Sequence, residues 1–340
     1  MFVVRPIKSS DLDQLYKLSA KARVGITTLP YDKKLLAARI KESVKSFSRR
    51  TSRPGPELYF FVMENTRTGR LVGTSAIVAR VGGVIPSYTY KIKKVLKKSN
   101  LLHIDKEIQF LKLKKEYEGP SEIGTLFIDP AFRKKGCGRL LALSRFLLVA
   151  QYPRRFQSKI IAELRGVLNE QDRSPFWNAV CKHFFMMEFK KADLMVMRDK
   201  TFIEELIPKH PIYIPILPEK AQAVIGQVHK NTVPALKLLE QEGFKFINEI
   251  DIFEAGPVVG AKTKEIRTIK KSREAVVENI SDDIGRCEDY LIANVTAFEK
   301  FCVTKDKVAL SKKGVTITKN TADALKVFKG QKLRIVKTKE

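Results

Sequence analysis

The stretch at residues 125–141, TLFIDPAFRKKGCGRLL, restricts this chain more than any other. Residues 122–128 read as a strand, and Asp129-Pro130 stops it, because proline cannot donate to a ladder. Arg133, Lys134 and Lys135 make a basic turn. Gly136 and Gly138 then open an apolar helix expected over 136–149. Together these are the parts of an anion cradle: glycines let the backbone approach a phosphate, while helix N–H groups and the helix dipole point at its charge. A glycine pair before a helix is, taken alone, equally an ordinary turn. The strand, the stop, the cations and the apolar helix in succession favour phosphate. The G-K-[ST] ending of nucleotide hydrolases is missing, and so are the third glycine and ribose-binding acid of a dinucleotide fold. A strand feeding a helix through such a loop belongs to an α/β (α+β) architecture.

The rest of the composition fits folded domains. At 340 residues and 44% hydrophobic, the chain can bury two or three cores, which excludes disorder as a description of the whole. The longest apolar stretch, Leu140–Ala150, is broken by Ser144 and Arg145 and is shorter than the roughly 20 residues a bilayer requires. The start, MFVVRPIKSSDL, carries no secretory pattern. Cys137, Cys181, Cys287 and Cys302 are far apart, so neither a disulfide framework nor a structural zinc site is expected, and the compartment expected is the reducing cytoplasm. Charge is the outlier, with 64 Lys and Arg against 37 Asp and Glu, a net +27. Such a surplus suits either a nucleic-acid partner or a lysine-biased host. The cations are scattered in pairs from Lys93-Lys94 to Lys312-Lys313, with no cluster of five. Readers of nucleic acid concentrate charge on one element, so no nucleic-acid partner is expected.

Along the chain, residues 2–7 read as a strand and Asp11 as the cap of a helix carrying Leu12, Leu15 and Leu18. A second amphipathic helix is expected over 31–47, then a loop to 57, and a hairpin of strands 58–64 and 71–78 joined by NTRTG. Residues 91–118 are lysine-rich and poorly patterned, and read as an insertion. A strand is expected at 159–164, and Ser174 caps a helix running through PFWNAVCKHFF. Beyond 201 come a helix (FIEELI), a proline-rich crossing, a strand-like AVIGQV, and a helix in NTVPALKLLEQEGF. That helix is capped by Asn231 or Thr232 and stopped by Gly243. From Ala293 onward, short strands suggest a small β module.

His229 lies just before that last helix, where a side chain can face a cleft. Its imidazole can move protons near neutrality, although a lone histidine is commonly structural. His183 sits in a Phe-rich helix and reads as packing, His210 is flanked by prolines, and His103 falls in the insertion.

The R-x-x-G-x-G loop (Arg133, Gly136, Gly138) resembles the pyrophosphate loop of GNAT acyltransferases, which holds coenzyme A. The helix with Asn231, Ala235, Leu239, Gly243 and Phe244 resembles the late helix of a second such unit. The strings LAARI, SEIGTLFIDPAFRKKGCGRLL, ELRGV, SPFW, PKHPIY, AQAVIGQVH, LEQEGF and IDIFEAGP go further. They resemble the bacterial arginine N-succinyltransferase family, over essentially the whole chain.

That resemblance implies tandem GNAT-like acyltransferase domains with a small C-terminal β module, divided at 1–198, 199–284 and 285–340. It implies transfer of succinyl from succinyl-CoA to the α-amino group of L-arginine, with no metal. His229 would be the proton donor, and Leu126 would contact succinyl-CoA. Arg133, Lys134, Lys135, Gly136 and Gly138 would cradle the pyrophosphate. A homo-oligomer or pairing with a related subunit is expected, with no membrane partner. Other acceptors or acyl donors of the same fold, such as ornithine, and a basic RNA-associated protein on the same scaffold, are the alternatives. In the family the charge balance is nearer neutral, so +27 is a departure.

Overall fold

The computed structural model describes residues 1–22, 26–133 and 136–338. Its first hairpin follows the local signals: β2 (Leu58–Asn65) and β3 (Arg70–Val78) pair antiparallel, and Gly69 takes the positive φ of 64° that their turn requires. β1 (Phe2–Pro6) adds to β2. Two helices, α1 (Leu12–Ser19) and α2 (Lys33–Ser48), bury Leu15, Leu18, Leu36 and Ile40 against Phe60, Val62 and Leu71. Asp32 caps α2 by accepting from the amides of Lys34 and Leu35. Asp11 does not cap α1. Its carboxylate instead receives both Arg5 Nη atoms, at 2.8 and 2.9 Å, and the Lys8 amide at 2.8 Å.

The lysine-rich stretch is an ordered arm of two long antiparallel strands, β4 (Ser87–Ser99) and β5 (Ile104–Glu116). Its outer half is exposed on both faces, so it carries no apolar alternation to read. Opposed charges hold it, with Lys94 2.8 Å from Glu107 and Lys98 2.9 Å from Asp105. β6 (Ser121–Ile128) returns to β3, and α3 (Cys137–Gln151) and β7 (Lys159–Glu163) follow.

The Phe-rich segment is broken into α4 (Pro175–Ala179) and α5 (Lys182–Phe185), rather than forming one helix. Ser174 Oγ does cap the first, accepting from the Trp177 amide at 3.0 Å. After α6 (Phe189–Val196), α7 (Thr201–Leu206), β8 (Ile212–Tyr213) and α8 (Glu219–Gln222), the AVIGQV run is a turn rather than a strand. Only Val228 makes a bridge, to Gly166. A short apolar run does not by itself distinguish a strand from other buried backbone. α9 (Val233–Gln241) ends at Gly243, φ +95°, and β9 (Lys245–Asp251) and β10 (Pro257–Lys262) form the next hairpin.

α10 (Arg267–Lys271) leads into β11 (Arg273–Ile280), β12 (Glu288–Asn294), β13 (Val303–Leu310), β14 (Val315–Ile317), α11 (Lys319–Leu325) and β15 (Lys332–Lys337). The described strands form one mixed sheet in the order β12-β15-β11-β14-β13-β1-β2-β3-β6-β7-β10-β9-β4-β5-β8. An additional β12–β13 pairing closes the last five strands of the chain into a barrel filled by Tyr290, Ile292, Ile317, Leu333 and Ile335. Closure removes the edges that so small a unit would otherwise expose. The barrel joins the main sheet where β13 pairs with β1, and its Leu291, Val303 and Val336 share a core with Leu140 and Leu141 of α3. A second core, around Trp177, Phe176, Tyr90 and Phe253, lies beneath the arm. No described helix is long and apolar enough to cross a membrane.

Candidate active site

β6 and β7 are parallel neighbours for two residue pairs only, Ser121 with Ile160 and Glu122 with Ile161, and no further pair joins them. Beyond that point one edge of β6 lacks a strand partner, leaving N–H and C=O groups available to an extended ligand. The mouth of this cleft is shaped by a bulge. Thr74 faces Phe127 and Ala76 faces Gly124, so Thr125 and Leu126 together oppose Ser75. Thr125 has φ +53°, a conformation strained for a β-branched residue.

Several contacts hold the bulge in place. Thr125 O accepts from Thr74 Oγ1 at 2.9 Å, Thr125 Oγ1 lies 2.9 Å from Thr28 Oγ1, and Gly124 O accepts from the buried Arg145 guanidinium at 3.4 Å. Burial without a carboxylate partner lowers the Arg145 pKa to about 9. A bulge takes backbone groups out of the ladder and re-aims them, here beside Leu126, which is half-buried.

At the end of β6, Asp129 is fixed by Lys21 at 2.6 Å and Arg70 at 3.0 Å, and accepts from the Ala131 amide. Arg133 is exposed and donates from Nε to the Ile128 carbonyl at 3.3 Å. Lys134 and Lys135 lie outside the described residues. Gly136 is the N-cap of α3 with φ +78°, a conformation glycine adopts without strain. Gly138 differs. A Cβ there would meet Ile128 Cδ1 at 3.7 Å, an ordinary contact, so the fold itself does not demand glycine. Lys305, from the barrel, reaches this loop, its Nζ lying 3.8 Å from where a Gly136 Cβ would stand. A cavity of about 350 Å³ lies between them, lined by Phe2, Gly136, Cys137, Leu140, Lys305 and Asn320.

His229 stands at the opposite wall. Its amide donates to the Arg165 carbonyl at 2.9 Å, on the chain that continues β7, next to the Val228–Gly166 bridge. Its Nδ1 accepts from the Asn231 amide at 3.1 Å. Neither Asn231 nor Thr232 caps α9 with its side chain; the Asn231 amide orients the histidine instead. With Nδ1 an acceptor, the proton of the neutral ring sits on Nε2. Val228 and Leu126 pack on the same core, the one that contains α3. His229 is thus held on the chain that leaves β7, the strand that parts from β6. His183, expected in packing, is exposed on α5, and His103 and His210 are also exposed.

Five carboxyl groups that the sequence patterns did not single out converge on the same region. Glu122 lies opposite Ile161, and Glu163 is two residues further along β7, so both project from one face of the sheet where the strands part. Burial raises the Glu122 pKa. Burial and the neighbouring Glu122 charge raise that of Glu163 well above the carboxylate range. Burial likewise raises Asp251, raises Glu254 strongly with the help of Asp251, and pushes Asp193 up to about 6. The available signal was an acid interrupting an apolar run, as in KIIAEL and EIDIFE, since such residues are seldom buried without a purpose.

Comparison with known proteins identifies this arrangement. Residues 2–268 match the family model described as arginine N-succinyltransferase beta subunit, and 273–337 match the C-terminal domain of that subunit. The arginine N-succinyltransferase of Yersinia pestis is 39% identical over 345 residues, covering 99% of this chain and 97% of its own length. That of Escherichia coli is 38% identical, covering 99% and 98%. A solved structure of arginine/ornithine succinyltransferase subunit AI from Pseudomonas aeruginosa superposes with a TM-score of 0.91 at 34% identity, over 100% of this chain and 99% of that one. The chain therefore belongs to the arginine N-succinyltransferase family, a family of acyltransferases, and shares the mixed α/β fold of that subunit.

Proposed function

We propose that this protein transfers the succinyl group of succinyl-CoA to the α-amino group of L-arginine in the cleft between β6 and β7. The observation that carries this reading is the parting of these strands beside a bulged Thr125–Leu126 and a glycine-opened helix. The unpaired β6 edge suits the amide-bearing arm of coenzyme A, and the α3 amides around Gly136 and Gly138 suit its pyrophosphate. Arg133, Lys134, Lys135 and the barrel residue Lys305 add positive charge there. A backbone N–H of the bulge near Leu126 polarises the thioester carbonyl and stabilises the oxyanion that forms on it.

The attacking α-amine must first lose a proton. Glu122 and Glu163, whose pKa values burial raises, are suited to accept it. Nitrogen then bonds to the carbonyl carbon, the C–S bond breaks, and the thiolate takes a proton. His229 gives that proton in its charged form, as imidazolium, and the cleft carboxyl that took a proton from the amine restores the charge to the ring. Direct attack needs no covalent enzyme intermediate. We place the reaction in the cytoplasm, with the chain paired to a second copy or a related subunit.

Thiol release, measured for succinyl-CoA and acetyl-CoA against L-arginine and L-ornithine, tests the assignment. Succinyl-CoA with L-arginine is expected to give the highest kcat/KM. Faster turnover with acetyl-CoA, or no release with any amine, would refute it.

A further inference from the structure

The acids of this region are not all satisfied by hydrogen-bond partners. Glu249, at its rim, is satisfied: Lys91 and Lys114 lie 3.3 and 3.2 Å away, and Thr89 donates to it. Asp251 accepts the Phe253 and Glu254 amides on Oδ1. Glu254 is 7% exposed and gives Oε2 to the Gly166 amide at 2.8 Å, while its buried Oε1 has no partner. The charges that act on Glu254 are those of Asp251, Arg165 and Asp193. The Arg165 charge favours the ionised forms of Asp193 and Glu254 from a distance, and its buried Nε and Nη2 have no hydrogen-bond partners among the described residues. Among the described residues no group of His, Cys, Asp and Glu converges as metal ligands do.

Two consecutive threonines tie this pocket to the cleft. Thr28 bonds Thr125 at the bulge, and Thr27 donates to Asp193. Adjacent Cα atoms lie ~3.8 Å apart, which sets Asp193 on the order of 10 Å from the bulge. An extended arginine carries its guanidinium carbon about 6 Å beyond Cα. An acceptor whose α-amine meets the thioester at the bulge can thus present its side chain to these acids.

We propose that Asp193, Asp251 and Glu254 form the subsite for the side-chain cation of the acceptor amino acid, with the guanidinium donating to Asp193 and to Glu254 Oε1. The assignment rests on the reaction proposed above. Thr27 orients Asp193 from behind, and the fork of a guanidinium can bridge two carboxylates where an ammonium points at one.

L-Citrulline, which matches L-arginine in shape but is uncharged, provides the test. Asp193→Asn and Glu254→Gln should each raise the KM for L-arginine roughly 10–100-fold, the loss expected for one charged hydrogen bond, and leave the KM for succinyl-CoA unchanged. The preference for L-arginine over L-citrulline should shrink in parallel. Thermal shift with L-arginine alone gives a second readout: the wild type is stabilised by L-arginine and not by L-citrulline, and Asp193→Asn loses the response. Asp193 is the safer position, because Glu254 also holds the Gly166 amide and its variant can misfold. Should the wild type release no thiol with L-arginine yet show this selective stabilisation, the subsite stands and the reaction falls. An unchanged KM and preference in folded Asp193→Asn, or equal stabilisation by L-citrulline, overturns the subsite.

Discussion

Gly138→Ala separates what the fold needs from what the ligand needs. A methyl group at this position meets only Ile128 Cδ1, at 3.7 Å, and the backbone φ lies outside the left-handed region. Nothing among the described residues opposes it. Replacing glycine by alanine in the first turn of a helix removes unfolded-state freedom and should stabilise by about 0.4–1 kcal/mol. For a chain of this size that raises Tm by about 0.5–1.5 °C. The same methyl group would stand between the α3 amides and a pyrophosphate. Losing one charge-assisted hydrogen bond costs about 1.5–3 kcal/mol, so the KM for succinyl-CoA should rise roughly 10–100-fold. Stability and affinity therefore move in opposite directions. Gly136→Ala makes the contrast, because φ +78° costs a Cβ about 1–2 kcal/mol and Tm should fall. Thermal unfolding and thiol-release kinetics, on the same preparations, measure both quantities. A more stable Gly138→Ala with an unchanged KM for succinyl-CoA would show that this loop does not hold the pyrophosphate.

His229→Ala should lower kcat by roughly 10²–10⁴ with little change in the KM for succinyl-CoA, while the exposed His183→Ala leaves both activity and Tm at wild-type values; near-normal kcat in His229→Ala removes the proton-transfer role. The pocket acids make a pH prediction. The Asp193 pKa is raised, so the folded state binds its proton more tightly than the unfolded chain, and its contribution is fully present below about pH 4 and lost as pH rises through about 6. Without L-arginine, the loss of Tm between pH 5 and 7.5 should thus be steeper in wild type than in Asp193→Asn. Asp251, Glu254 and Arg165, whose charges act with that of Asp193, are common to both proteins. Identical pH slopes would refute the shift. Bulk RNA should bind weakly and dissociate at near-physiological salt, despite the net +27; a salt-resistant RNA complex, scored by gel shift, would contradict the reading of that charge as host bias.

How much of this was legible in advance depended on sequence distance. The β2–β3 hairpin, the Asp129-Pro130 stop, the glycine-opened α3 and the Gly243 stop of α9 each rest on residues within a few positions of one another, and each was readable. His229 was singled out on its place before a helix and on family resemblance. The reason its ring is oriented, the Asn231 amide, depended on a cap that did not form. The arm was not readable, because pairing along its exposed half is held by Lys–Glu and Lys–Asp contacts rather than by a buried stripe. The Phe-rich helix and the AVIGQV strand were misread for the opposite reason. Short apolar runs, here only partly buried, carry no period that separates helix, strand and turn.

By itself, then, the sequence determined a strand stopped at Asp129-Pro130 and a glycine-opened helix, an α/β frame around them and the family. Those properties follow from backbone preferences of neighbouring residues and from strings long enough to be specific. Only the tertiary structure decided that β6 and β7 part after two residue pairs, that β12 and β13 close a barrel against α3, and that Glu122, Glu163, Asp193, Asp251 and Glu254 share one pocket. These five acids come from two strands, a helix and a hairpin spread over 133 residues (122 to 254), and no local rule connects them. Their proximity is set by which apolar faces bury one another, and their protonation by the water which that burial removes.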